Sequence, residues 1–174
     1  NVFEVTRLAS FLEGSLIFVH VGEKTAEKEA HFRAILKECP DQPKNIELHW
    51  KTGKPVETLI ELCQSFSIDL LLLGALKREK MLKYYLGSIA RQLTRKAPCS
   101  VLLMLNPSVV RRPCKHIVVN GFESPQTQDT IEAAFEMGQA LHAEKLTLVE
   151  EISESRVAVA VNDDRSLRKA TLRK

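Results

Sequence analysis

The fold class is clearest from residues 68–104, which read IDLLLLGALKREKMLKYYLGSIARQLTRKAPCSVLLM. An apolar run, Leu70–Leu73, is followed by a glycine, a basic loop and a segment whose apolar residues recur at helical spacing up to Ala97. A second apolar run, Val101–Met104, closes the unit. Short apolar runs bounded by turn residues are typical of buried strands. The stretch therefore predicts a strand, a loop, a helix and a parallel strand.

The same alternation continues on the N-terminal side of this stretch. Residues 1–13 carry apolar side chains at helical spacing and precede Gly14, a typical residue for a helix C-cap. Helices and near-continuous apolar strands in alternation predict a parallel sheet flanked by helices, with right-handed crossovers. The further predicted elements are strands at 16–21 and 46–50 and helices at 25–36 and 55–66.

A second, shorter copy of the pattern follows a linker that contains prolines and arginines. A strand is predicted at 115–119 and a helix at 127–142. Leu146–Glu150 matches Leu16–His20 at an offset of about 130 residues, which indicates an internal repeat. The predicted divisions are a first domain at 1–106, a linker at 107–114, a strand, helix and strand of a second repeat at 115–152, and a basic, weakly defined C-terminal segment at 153–174.

Composition and charge exclude several classes of protein. The chain has 174 residues, 44% of them hydrophobic and 27% charged, with a formal net charge of +3. These values argue against a disordered chain, and the interleaved charges argue against a nucleic-acid surface. No apolar run approaches the roughly 20 residues of a membrane-spanning helix, so we expect no direct membrane insertion. The four cysteines and five histidines lack disulfide-framework and metal-ligand spacing, which favours reduced thiols, a cytoplasmic location and no structural metal.

A glycine motif makes residues 16–104 resemble the universal stress protein family. The family's motif is Gly-x2-Gly-x9-Gly-Ser/Thr after the fourth strand of a five-stranded sheet. Here Gly74 is followed by two residues, Lys77, nine residues and then Gly87 and Ser88. With 115–150 as the start of a second copy, the resemblance covers most of the chain.

The resemblance implies an α/β fold, a Rossmann-like doubly wound parallel sheet with strand order 3-2-1-4-5 and a ligand crevice at the carboxyl ends of the strands. In the nucleotide-binding branch of the family this crevice holds ATP, which implies a regulatory module that binds ATP or a related nucleotide. Glycine lets the backbone approach a phosphate, and a helix N-terminus receives an anion. Carried over residue by residue, the binding residues are Val21, Leu73, Gly74, Lys77, Gly87, Ser88, Ile89 and Asn120.

Two features depart from the family pattern. Lys77 stands at the second glycine of the motif, where its side chain either crowds the loop or contacts a phosphate. The first domain also lacks the family's first strand, which is central in the sheet, and the second half has Asn120 where that strand ends in an acidic residue. Either the chain is a fragment whose earlier residues are absent, or Ile117–Val119 fills the gap, in the same molecule or in a partner.

A second function remains open, an interaction module that binds no nucleotide. Members of the family commonly pair through their last strand, which implies a homodimer through Val101–Leu105. Such modules also occur in tandem proteins and as soluble tails of cation/proton antiporters. No general acid–base pair or activated nucleophile is visible, so we expect at most very slow turnover of ATP.

Overall fold

The computed structural model describes residues 2–74, 87–105 and 107–150 of the chain. Two compact units divide between Arg112 and Pro113. Helices and parallel strands alternate, which confirms the predicted α/β class. The elements of the first unit are α1 (Val2–Phe11), β1 (Leu16–Val21), α2 (Ala26–Glu38), β2 (Ile46–Lys51), α3 (Pro55–Ser65), β3 (Leu70–Gly74), α4 (Ser88–Lys96) and β4 (Ser100–Met104).

The described strands of the first unit form two parallel pairs. Leu16 of β1 lies opposite Ile46 of β2, and Leu70 of β3 lies opposite Ser100 of β4. In the predicted order 3-2-1-4-5, these would be the two outer pairs, and β1 and β3 would flank the central strand. The complete five-stranded order stays a prediction.

Helix α1 holds the two strand pairs together through its buried face. Val5 and Ala9 of α1 are each 7% exposed and form a cluster with Leu16. This cluster packs against one partly buried side chain from every strand of the unit. Those four residues are Phe18 of β1, Ile46 of β2, Leu72 of β3 and Met104 of β4.

The C-terminus of α1 differs from the prediction. Glu13, and not Gly14, adopts the left-handed conformation, with φ of 53°. The Gly14 N–H then donates to the Ala9 carbonyl oxygen at 2.9 Å, which is the long bond of a Schellman cap. Ser67 after α3 has φ of 49° and sits in the same hydrogen-bonded turn. The place where α1 ends could therefore be predicted from the sequence. Which residue adopts the strained left-handed conformation could not.

The second unit contains one strand pair and one helix in its described part. These are β5 (His116–Asn120), α5 (Thr127–Ala140) and β6 (Lys145–Val149). β5 and β6 are parallel and form a sheet of their own. The interpretation that Ile117–Val119 fills the central position beside Leu70–Leu73 stays a prediction.

Candidate functional site

The N-terminus of α4 lies at the carboxyl edge of the β3–β4 pair. Only Ala97–Cys99 separate the end of α4 from the start of β4, so the helix must run antiparallel to the strand. Nine helical residues span about 13 Å and five strand residues about 16 Å. The first turn of α4 therefore lies at the level where β3 and β4 end.

The first turn of α4 is open to an anion. Gly87 is the N-cap, with φ of −56° and ψ of 156°, and no side chain of the described residues caps the turn. The first turn holds no acidic residue, whereas Arg95 and Lys96 occupy the last turn. Free N–H groups and the helix dipole give this end a partial positive charge. An anionic group is the ligand that such a helix end favours.

Five predicted binding residues lie at the end of β3 or the start of α4: Leu73, Gly74, Gly87, Ser88 and Ile89. Val21 ends β1 and Gly74 ends β3, with Leu73 beside it. The side chain of Leu73 is half-buried, whereas Ser88 and Ile89 are exposed in the first turn of α4. Lys77 lies outside the described residues, so its position is left as a prediction.

Gly87 is not required by the packing of the fold. A Cβ atom built on it meets no atom of the described residues within 4 Å, and its φ is one that any residue adopts. Among the described residues, none occupies the space beside Gly87.

Asn120 belongs to the second unit and has a local partner. Its Oδ1 atom accepts a hydrogen bond from the Phe122 N–H at 3.1 Å. Asparagine side chains commonly stabilise turns in this way. This bond gives Asn120 a role in the turn after β5, and its predicted role at a nucleotide stays a prediction.

Sequence reasoning missed an aromatic pair at the carboxyl ends of β1 and β2. His20 lies opposite Trp50 in the strand register, and their ring centroids are 4.7 Å apart. The Trp50 Nε1 atom is buried and has no hydrogen-bond partner among the described residues. The sequence does show an aromatic residue near the end of each strand, but only the register brings the two together.

A cleft of about 720 Å³ lies between β1 and β3. Residues of both strands line it, together with apolar side chains of α1 and α3. The cleft reaches Leu73 and Gly74 at the carboxyl end of β3, and both also belong to the predicted binding residues.

Two structural features are absent from the described part of the chain. Within residues 2–74, 87–105 and 107–150, no three His, Cys, Asp or Glu side chains are grouped as metal ligands. None of the described helices combines the length and apolar character that a membrane span needs.

Comparison with protein families matches residues 2–104 to the universal stress protein family. Comparison with curated proteins gave no match. Solved structures similar to this chain include a universal stress protein in complex with cAMP, 24% identical over 59% of this chain and 82% of that one, with a TM-score of 0.49. UspA from Lactobacillus plantarum is 17% identical over 60% of this chain and 87% of that one, with a TM-score of 0.41.

A third similar structure, from Pseudomonas aeruginosa UCBPP-PA14 and assigned to the same family, supports the fold. It is 15% identical, covers 96% of this chain and has a TM-score of 0.68. This chain spans 62% of the length of that protein. The likeness shows a common fold.

Proposed function

Since the chain belongs to the universal stress protein family, as the match over residues 2–104 shows, we propose that it is a regulatory module binding ATP or a related nucleotide. The nucleotide phosphates lie at the first turn of α4, and the base and ribose lie toward the ends of β1 and β3. In this proposal Gly74, Lys77, Gly87, Ser88 and Ile89 surround the phosphates, and Val21 and Leu73 lie near the base and ribose.

One observation carries the proposal, the uncapped N-terminus of α4. A helix start normally gains stability from a side-chain acceptor at the N-cap or an acid in the first turn. α4 has neither, and no described residue fills the space beside Gly87. A phosphate would supply the missing acceptor, and the Ser88 hydroxyl would add a donor.

Equilibrium binding of ATP, ADP, AMP and cAMP to the purified chain tests the proposal, with native mass spectrometry to count bound ligands. We expect ATP to bind below millimolar concentration. Gly87→Val should abolish binding without unfolding the chain, because the backbone at Gly87 accepts any residue while a branched side chain covers the N–H groups. Ser88→Ala should weaken binding by about tenfold, the effect of losing one hydrogen bond to a charged group.

Thr94→Ala is the matched control. Thr94 is exposed near the other end of α4, where its hydroxyl donates to the Arg91 carbonyl oxygen at 3.0 Å. This variant should bind ATP as the parent does. Absence of binding at millimolar nucleotide, in the parent and in Lys77→Gly alike, would remove the nucleotide proposal.

The second candidate function is dimerisation through the edge strand Val101–Leu105, as an interaction module. Among the described strands β4 pairs only with β3, which leaves its other edge unpaired. The Ser100 N–H donates to the Asp69 carbonyl oxygen. Because main-chain groups alternate along a strand, Leu102 also faces β3, whereas Val101 and Leu103 direct their main-chain groups to the free edge.

This alternation gives a sharp test of the dimer. Leu103→Pro removes an outward N–H and should convert a dimer to a monomer in sedimentation equilibrium, because proline is tolerated at sheet edges. Leu102→Pro is the paired control, which breaks the β3–β4 ladder and should unfold the unit. A monomeric parent would remove this candidate.

A further inference from the structure

Two cysteines lie near the amino ends of β3 and β4. Cys63 is in the last turn of α3, and its carbonyl oxygen accepts a hydrogen bond from the Ile68 N–H at 2.9 Å. This bond closes the turn that leads into β3, so it holds Cys63 near the amino end of that strand. Cys99 immediately precedes β4.

The strand register brings Cys99 to the same end of the pair. Leu70 lies opposite Ser100, and the Ser100 N–H donates to the Asp69 carbonyl oxygen at 3.1 Å. Cys99, one residue before Ser100, therefore lies next to the start of β3. The two helices that precede these strands, α3 and α4, also contact each other. Both cysteines are thus positioned by the packing of two neighbouring helix–strand junctions.

The two thiols contact each other through a side-chain hydrogen bond between Cys63 and Cys99. Both thiols are free. Disulfide formation requires two cysteine side chains that already point toward each other at short range. Cys63 and Cys99 meet this requirement, so a small movement of the side chains would let their sulfur atoms bond.

The two thiols differ in their access to solvent. Cys63 is 4% exposed, whereas Cys99 is partly exposed. Burial raises the pKa of Cys63 to about 11, so this thiol stays protonated at neutral pH. Oxidants react with an accessible thiolate rather than with a buried thiol. An oxidant from solvent therefore meets Cys99 first, and Cys63 is placed to react second.

We propose that Cys63 and Cys99 form a modification site, a thiol pair that a small hydroperoxide oxidises to a disulfide. The Cys99 thiolate attacks one peroxide oxygen, so that an S–O bond forms and the O–O bond breaks. Cys99 becomes a sulfenic acid, and the leaving hydroxide takes up the proton that Cys99 released.

The second step forms the disulfide. The Cys63 sulfur attacks the Cys99 sulfur and loses its proton, while the S–O bond of the sulfenic acid breaks. The hydroxide that leaves Cys99 takes up this proton as water. With hydrogen peroxide, two thiols and one peroxide therefore give one disulfide and two water molecules.

The disulfide ties the last turn of α3 to the start of β4, and the covalent loop that it closes contains β3 and α4. A cross-link of this kind restricts the unfolded chain, so the oxidised form should unfold at a temperature about 5–10 °C higher. Disulfides that form in reducing compartments are typically transient and respond to oxidants. The proposal is independent of the nucleotide proposal, because it requires no bound nucleotide.

Treatment of the full chain with hydrogen peroxide tests the proposal. The double variant Cys39→Ala, Cys114→Ser keeps only the proposed pair of thiols. We expect its mass to fall by about 2 Da, the two hydrogens lost per disulfide. Proteolysis should then give a cross-linked peptide that contains Cys63 and Cys99. The rate should not depend on protein concentration, because the bond forms within one chain, and dithiothreitol should restore both thiols.

Single changes in this background separate the two roles. Cys63→Ala removes the second thiol, so the sulfenic acid at Cys99 should persist and be trapped by dimedone. Cys99→Ala removes the accessible thiol, and the remaining Cys63 should react with peroxide at least about tenfold more slowly.

The matched control is Cys63→Ala, Cys99→Ala, which keeps the other two cysteines. Cys39 is buried, and its thiol donates to the Ile35 carbonyl oxygen of its own helix at 3.5 Å. This variant should form no disulfide within the chain under the same treatment, and its unfolding temperature should not rise.

Two free thiols after peroxide treatment, or a disulfide that forms only between chains, would overturn the proposal. So would equal rates of peroxide reaction in Cys63→Ala and Cys99→Ala, because these would remove the difference in access between the two thiols. Peptide mapping of the oxidised parent chain needs no substitution, so it decides the pairing even where a variant fails to fold.

Discussion

The guanidinium of Arg7 lies against the carboxylate of Asp41, with 3.5 Å between Nε and Oδ2. Arg7 is only 7% exposed although it is charged. Its Nη2 donates to the Val109 carbonyl oxygen at 3.0 Å, while Nε lacks a well-aligned hydrogen bond among the described residues. Because a buried charge is costly unless it is paired, the stability of buried Arg7 depends on both Asp41 and the Val109 carbonyl oxygen.

Asp41→Asn should lower the free energy of unfolding by about 1–2 kcal/mol, because it leaves the Arg7 charge with one partner. In the background of Arg7→Met, which removes the charge, the same change should cost less than about 0.5 kcal/mol. Urea unfolding measures both. Lys54→Met is the exposed control, since Lys54 lies at the same 3.5 Å from Glu57 and such pairs contribute about 0–1 kcal/mol. If Asp41→Asn lowered the free energy of unfolding equally in the parent and in Arg7→Met, this account would be contradicted.

Leu93→Ala should lower the free energy of unfolding by about 2–5 kcal/mol. Leu93 is fully buried on α4, and truncation leaves a cavity between the helix and the rest of the unit. Ile89→Ala, one helical turn earlier, removes a side chain that is 44% exposed and should cost no more than about 0.5–1 kcal/mol. Chemical denaturation of the two variants gives the comparison, and similar losses would show that α4 is not anchored by Leu93.

Glu13→Gly should raise the free energy of unfolding by about 0.5–1 kcal/mol, because glycine adopts the left-handed conformation without the strain of a Cβ atom. The matched control is Glu61→Gly, the same chemical change at an exposed position inside α3. There glycine should destabilise by about 1 kcal/mol. Opposite signs in thermal unfolding are the expected result, and a loss at both positions would refute the role of Glu13 in the cap.

The stability of the chain should fall between pH 9 and pH 11 because of Cys63. Burial, with a smaller contribution from the Cys99 thiol, raises the pKa of Cys63 from 9.0 to about 11. The folded state therefore keeps this proton where the unfolded state releases it, so stability is lost as pH rises through that window. Urea unfolding at several pH values should show a steeper loss in the parent than in Cys63→Ala. Identical pH profiles would exclude the effect.

Local pattern predicted most of the elements, because apolar periodicity is a property of neighbouring residues. It identified Leu70–Gly74 as a strand and the helix that begins after Pro55, whose ring occupies the first turn of α3. It did not predict that Glu13 would adopt the left-handed conformation. The Schellman hydrogen bonds determine which position becomes left-handed, whatever side chain that position carries. The His20–Trp50 contact depends on strand register, and the partners of Arg7 lie far away in sequence. Such long-range relationships leave no periodic signal.

Every described strand pair joins segments about thirty residues apart, such as Leu16 with Ile46 and Leu70 with Ser100. Loop-closure entropy depends only weakly on loop length, so the entropic cost of forming each pair in the first unit is similar. The two pairs can therefore form separately. Within the described residues, no strand ladder joins them, and α1 spans them through side chains alone. Folding kinetics should therefore show two early βαβ folding units and a later step in which α1 docks across both. Native-state hydrogen exchange should reveal α1 as the segment that opens first.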